Sequence, residues 1–100
     1  MLVSRPQAEP EDPARVVLYS RPGCHLCDEA RVVVREVCAA AREAWREVDI
    51  ESDPSGALVE RYGDYVPVVE VDGVQQGFWR VDAARLARRL AAEPRRGERA

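Results

Sequence analysis

Around Cys24 the apolar period of this 100-residue chain changes from strand-like to helical, and that switch limits the folds open to it. Before it, Arg15 to Tyr19 is a short run rich in β-forming residues that fits a strand buried on both faces. After it, Leu26, Ala30, Val33, Val34, Val37 and Ala41 recur at three- and four-residue steps, with Asp28, Arg31, Arg35, Glu36 and Arg42 mostly between them. That spacing predicts an amphipathic helix of about four to five turns, running from Cys24 to near Ala44. Asp28 and Glu29 in its first turn and Arg42 in its last agree with the helix dipole. The switch itself reads Tyr19-Ser20-Arg21-Pro22-Gly23-Cys24-His25-Leu26-Cys27, and it carries two of the three cysteines, spaced C-x-x-C.

Downstream, Trp45, Glu47 and Asp49 alternate with Arg46, Val48 and Ile50, the pattern of a half-buried strand. Asp53-Pro54 supplies a capping residue and a proline at the first helical position, so a short helix is predicted to about Tyr62, closed by Gly63-Asp64. Val66 to Val71 is the next strand, with Pro67 at its start, where a missing N–H does little harm. Asp72-Gly73 then joins it to Val74-Gln75-Gln76-Gly77-Phe78-Trp79, a two-residue hairpin signal. Asp82 can cap a last helix whose stripe is Ala83, Leu86, Ala87 and Leu90. The order is β-α-β-α-β-β-α, an α/β domain over 15–92. The first β-α-β is expected to be parallel, and the hairpin to extend the same four-stranded mixed sheet. Residues 1–14, with three prolines among acidic and amide residues, are expected to be a disordered tail, and 93–100 a charged one.

Composition removes several classes of function. Net charge is −3 although all fifteen basic residues are arginine, so no broad basic field for nucleic acid is present. Three cysteines is an odd, low number for a disulfide-held secreted domain, and the N-terminus breaks into proline and acidic residues without the apolar core of a signal peptide. No apolar run approaches the length of a membrane span. A cytoplasmic monomer with reduced thiols is the expectation, and in that setting a C-x-x-C pair reads as redox or metal chemistry.

Thiol–disulfide exchange needs a thiolate, and a cysteine at a helix N-terminus meets unpaired N–H groups and the positive end of the dipole. Cys24 is therefore the expected attacking thiol and Cys27, one turn on, the resolving one. The alternatives are two structural thiols, half of a zinc site, or a non-catalytic module holding a metal or a subunit-bridging iron–sulfur cluster. Redox is favoured over zinc because only His25 and Cys38 remain as soft ligands and a zinc site wants four. Cys38 lies eleven residues past Cys27, about 16 Å along a helix, beyond disulfide reach, and is expected as a buried apolar filler. Arg21 can add positive charge near Cys24. His25 is expected to face solvent beside the motif, with an imidazolium contribution to the thiolate as the alternative.

Order of elements and residues together resemble the thioredoxin superfamily, specifically its glutaredoxin-like branch. The resemblance is carried by Val17-Leu18-Tyr19-Ser20-Arg21-Pro22-Gly23-Cys24-x-x-Cys27, by Asp49-Ile50 after the second strand, by Tyr65-Val66-Pro67 and by Val71-Asp72-Gly73. It implies a thioredoxin-like fold and a thiol–disulfide oxidoreductase acting on protein or low-molecular-weight disulfides. It also implies a cis Pro67 packed against the dithiol and a Val66 backbone that pairs with substrate. Arg21, His25, Val66 and Pro67 are thus the expected substrate-binding residues. No resident cofactor or metal is expected; the reductant would be glutathione, another small thiol such as mycothiol, or a reductase. Two departures stand out. Gln76-Gly77-Phe78-Trp79-Arg80-Val81-Asp82 lacks the Gly-Gly and acidic pair that hold the glutathione carboxylate in usual glutaredoxins, and Leu18 stands where thioredoxins bury an aspartate. For Phe78 and Trp79, core packing and an exposed ring beside the dithiol are both open.

Overall fold

The structure, a computed structural model, describes residues 14–92; the tails expected at 1–14 and 93–100 lie outside the described residues but for Ala14. Its elements are β1 (Val16–Ser20), α1 (His25–Ala41), β2 (Trp45–Asp49), a 3-10 turn (Ile50–Ser52), α2 (Ala57–Tyr62), β3 (Val68–Val71), β4 (Val74–Phe78) and α3 (Ala83–Ala91). The sheet order is β2-β1-β3-β4, with β1 parallel to β2 and antiparallel to β3, and β3 antiparallel to β4. The apolar run of β1 therefore sits at the centre, where Val16 and Leu18 are wholly buried. Among the described residues no helix is long and apolar enough to cross a membrane.

Period-two alternation divides the core between the sheet faces. Val16, Leu18, Val69 and Val71 pack with Ala30, Val34 and Cys38 of α1 and Leu86 and Leu90 of α3. A second cluster, Cys27, Ile50, Tyr62, Val66 and Val68, takes in part of Tyr19 and Cys24, with Tyr19 and Val68 paired across β1 and β3. Cys38 is thus a core residue, and burial pushes its thiol up to about 11.

Turn residues decide where elements stop. Asp72 (φ 53°) and Gly73 (φ 82°) are both left-handed, as a two-residue hairpin turn demands. Asp82 caps α3 by accepting from the Arg85 N–H at 3.1 Å. α1 ends three residues short of Ala44, because Arg42 turns left-handed (φ 60°). Its N–H then donates to the Ala39 carbonyl, and that of Glu43 to the Cys38 carbonyl, closing the helix. A side chain in that conformation is disfavoured, so Arg42→Gly is expected to stabilise the domain by about 0.5–1 kcal/mol, read as a higher urea midpoint at unchanged slope.

α2 also begins three residues later than Asp53-Pro54 suggests, with Gly56 (φ 77°) as its cap. Asp53 folds back on its own loop instead, accepting from the N–H and hydroxyl of Ser55, and it reaches into the helix at the Leu58 N–H. β4 stops at Phe78 rather than Trp79, whose φ of 69° takes the chain off the sheet.

Candidate functional site

Gly23 (φ 77°) makes the turn between β1 and α1 and delivers Cys24 in an extended conformation at the N-cap of α1. A cap side chain accepts a hydrogen bond from the first turn, and here the acceptor is sulfur: the Cys27 N–H donates to Cys24 Sγ at 3.1 Å. A thiolate at Cys24 would keep that bond and strengthen it, since a charged acceptor binds an N–H more tightly than a neutral one. Cys24 is half-buried, whereas Cys27 is 0% exposed, and both are free thiols. The Cys27 thiol is pushed up to about 12, first by burial and then by its hydrogen bond to Cys24, with the Arg21 backbone N–H opposing. Cys24, at the helix end, is therefore the more exposed of the two sulfurs, and burial keeps the Cys27 thiol protonated at neutral pH.

The Arg21 guanidinium is turned to Glu51 (Nε 3.1 Å, Nη2 2.9 Å) and to the Gly63 carbonyl (2.9 Å), so it clips the loop before Cys24 to the 3-10 turn and the end of α2. His25 is exposed as the first residue of α1. The Val66–Pro67 peptide bond is cis, Pro67 is fully buried, and Val66 packs in the same cluster as Cys24 and Cys27. The Val66 N–H donates to the Tyr62 carbonyl at 3.1 Å. Beneath the dithiol the rings of Tyr19 and Tyr62 lie 4.8 Å apart. The Tyr62 hydroxyl donates to Glu70 at 2.6 Å, and burial followed by that carboxylate pushes it up to about 12. Among the described residues no three His, Cys, Asp or Glu side chains converge as metal ligands.

A polar brace beside α1 escaped the sequence reading. Arg31 donates twice to Glu47 at 2.7 Å and once to Asp28 at 2.9 Å, and the Ser20 hydroxyl, on a residue only 4% exposed, donates to Glu47 at 2.6 Å. The Arg31 guanidinium holds the Glu47 carboxyl below the usual range against the opposing effect of burial, with a lesser contribution from the Ser20 hydroxyl. Glu47 thus joins the last residue of β1 to the first turns of α1, the two elements that set the cysteines. Glu47→Ala strands a buried hydroxyl and a guanidinium, and an expected loss of about 1–2 kcal/mol, moderated by the partial exposure of Arg31, is to be measured by urea unfolding. No single residue signals this brace; strand alternation marks Glu47 only as sharing a face with Trp45.

The family model of the Glutaredoxin-like domain (DUF836) matches residues 15–91. The chain belongs to that family. As a glutaredoxin-like domain it is 29% identical over 92 residues to the uncharacterized protein Rv0508 of Mycobacterium tuberculosis, covering 89% of this chain and 87% of that one. Among solved structures it is similar to protein XcR50 from X. campestris, with 39% identity and a TM-score of 0.58 over 79% of this chain and 99% of that one. A thioredoxin mutant from Halobacterium salinarum, 21% identical, shares the fold at a TM-score of 0.57, over 88% of this chain and 82% of that one. The glutaredoxin-like domain is therefore built on the thioredoxin fold, and family membership supports a thioredoxin-like redox role.

Proposed function

We propose that the domain is a dithiol–disulfide oxidoreductase in which Cys24 attacks and Cys27 resolves. The observation that carries this reading is the half-buried Cys24 sulfur at the α1 N-cap, hydrogen-bonded to the N–H of a wholly buried Cys27. The Cys24 thiolate attacks one sulfur of a substrate disulfide; a Cys24–substrate disulfide forms, the substrate's own S–S bond breaks, and the departing thiolate takes up a proton. Cys27 then loses its proton and attacks Cys24 Sγ, forming the Cys24–Cys27 disulfide and releasing the second substrate thiolate. Two electrons and two protons pass from protein to substrate. Glutathione, another small thiol such as mycothiol, or a reductase would return them, with no resident cofactor, in a cytoplasmic setting where thiols rest reduced.

The remaining residues serve position. Pro67 and Val66 form the wall behind the sulfurs, and the Val66 carbonyl is the group an extended substrate segment would pair with. His25, exposed beside Cys24, would meet the outgoing substrate thiolate. Arg21 fixes the loop through Glu51 and Gly63. Mixing reduced protein with a peptide disulfide, without added reductant, tests the reading. One Cys24–Cys27 disulfide should form for each peptide disulfide lost, with Cys38 unmodified by peptide mass mapping; an unchanged peptide disulfide would sink it.

A further inference from the structure

Trp79 follows β4 in a left-handed conformation, φ 69°, that a bulky residue rarely adopts. Hydrogen bonds to the proline loop hold it: its N–H donates to the carbonyls of Tyr65 (3.2 Å) and Pro67 (3.0 Å), and its indole N–H donates to the Asp64 carbonyl (2.9 Å). The polar edge of the indole is thereby satisfied against the loop that carries Pro67, while the residue stays 51% exposed, and Tyr65 beside that proline is 45% exposed. A sparsely populated backbone state kept by its surroundings is a feature found at ligand-binding sites.

Trp79 lines a cavity of about 370 Å³ together with Leu26, Ala30 and Val33 of α1, and Val81. Leu26 lies in the first turn of α1, which Cys24 caps, and Trp79 is bonded to the carbonyl of Pro67, whose neighbour Val66 packs with Cys24, so the cavity borders both elements that hold the attacking sulfur. Its charged lining is Glu29 and Asp82 against Arg80 alone.

We propose that this cavity is a subsite for an apolar side chain of a polypeptide substrate, close in sequence to the cysteine that Cys24 attacks, with Trp79 as its specificity-determining residue. The proposal rests on the thiol–disulfide exchange reading above. Its occupant follows from position: a segment that brings its sulfur to Cys24 lays its neighbouring residues over Leu26 and Trp79. The volume lies within the range of roughly 300–1,000 Å³ usual for ligand pockets. Two carboxylates against one guanidinium disfavour glutathione, which carries two carboxylates itself, and suit a neutral or basic segment bearing leucine or phenylalanine.

The test uses fully reduced full-length protein in single turnover with three probes: two disulfide-linked dimers of one short peptide, differing only in Leu or Ser beside the cysteine, and glutathione disulfide. Wild type is expected to react with the Leu peptide about tenfold faster than with either other probe. Trp79→Ala should lose that advantage while staying within about twofold of wild type on the Ser peptide and glutathione disulfide, and Trp79→Phe should keep most of it. Equal wild-type rates on the two peptides, an equal slowing of all three reactions in Trp79→Ala, or fastest reaction with glutathione disulfide would each overturn the subsite. If folded wild type reduces none of the three, the exchange reading itself fails and the subsite with it.

Discussion

Cys24→Ser is expected to lower disulfide reduction by about a thousandfold or more, because a hydroxyl at the α1 N-cap cannot supply the attacking thiolate at neutral pH. Cys27→Ser should behave differently: the first step survives, and the protein accumulates as a mixed disulfide between Cys24 and substrate, visible as an added mass that dithiothreitol removes. The pair separates attack from resolution, and equal losses in the two variants would contradict the assigned roles. The second step also has a pH signature. Cys27 must lose its proton to attack, and burial is the largest reason its thiol lies as high as about 12. Engaging Cys24 in a mixed disulfide removes the Cys24 contribution but leaves the burial. Resolution is therefore expected to quicken about tenfold per pH unit across the neutral and mildly alkaline range, following the thiolate fraction.

Asp72→Ala should be the most damaging change away from the cysteines. The Asp72 carboxylate accepts from Arg15 Nε and Nη2 at 3.0 Å and from Arg89 at 3.1 Å, and Arg15 in turn reaches Glu43 at 2.8 Å and the Leu90 carbonyl at 3.3 Å. With its side chain only 13% exposed, this one carboxylate ties the start of β1, the β3–β4 turn and the ends of α1 and α3 together. Removing it leaves two guanidiniums facing each other and puts alanine at a left-handed turn position. A loss of roughly 3 kcal/mol follows, enough to lower the melting temperature by more than about 10 °C. Arg15 holds the Asp72 carboxyl below its ordinary value, with Arg89 adding to the effect. A depressed carboxylate contributes stability that is present above its unfolded value near 3.8 and is lost as pH falls through the folded one. Asp72→Asn, which tolerates the turn but carries no charge, should therefore fall short of wild type at pH 6 and approach it as pH drops below 4. A gap that persisted at low pH would place the effect in packing.

What the sequence makes legible is what local patterning controls. β1, the stripe of α1, the Asp72-Gly73 hairpin and the Asp82 cap are each written in a few adjacent residues, and so is the placement of Cys24 at a helix start. The boundaries that shift, at Arg42 and Gly56, turn on a single left-handed residue each, and at Arg42 no glycine marks it. The brace of Arg31, Glu47 and Ser20 and the Arg21 clip join residues far apart in sequence, so only the folded sheet brings them together. For the same reason the C-x-x-C spacing suggests the two sulfurs meet, whereas the complete burial of Cys27, which separates its role from that of Cys24, comes from Ile50, Tyr62, Val66 and Val68 packed around it. Trp79 reads as a strand residue by composition; its departure from β4 is fixed by the carbonyls of Tyr65 and Pro67 that receive its N–H.

The most direct measurement is a redox titration of the Cys24–Cys27 couple in thiol–disulfide buffers, read by thiol counting and mass mapping. A single two-electron transition between about −300 and −120 mV is expected, the span from the reducing thioredoxins to the most oxidising of such proteins. Across it the three free thiols should fall to one, and that one should be Cys38. No Cys24–Cys27 disulfide at any poise, or oxidation that consumes Cys38 instead, would contradict the dithiol mechanism.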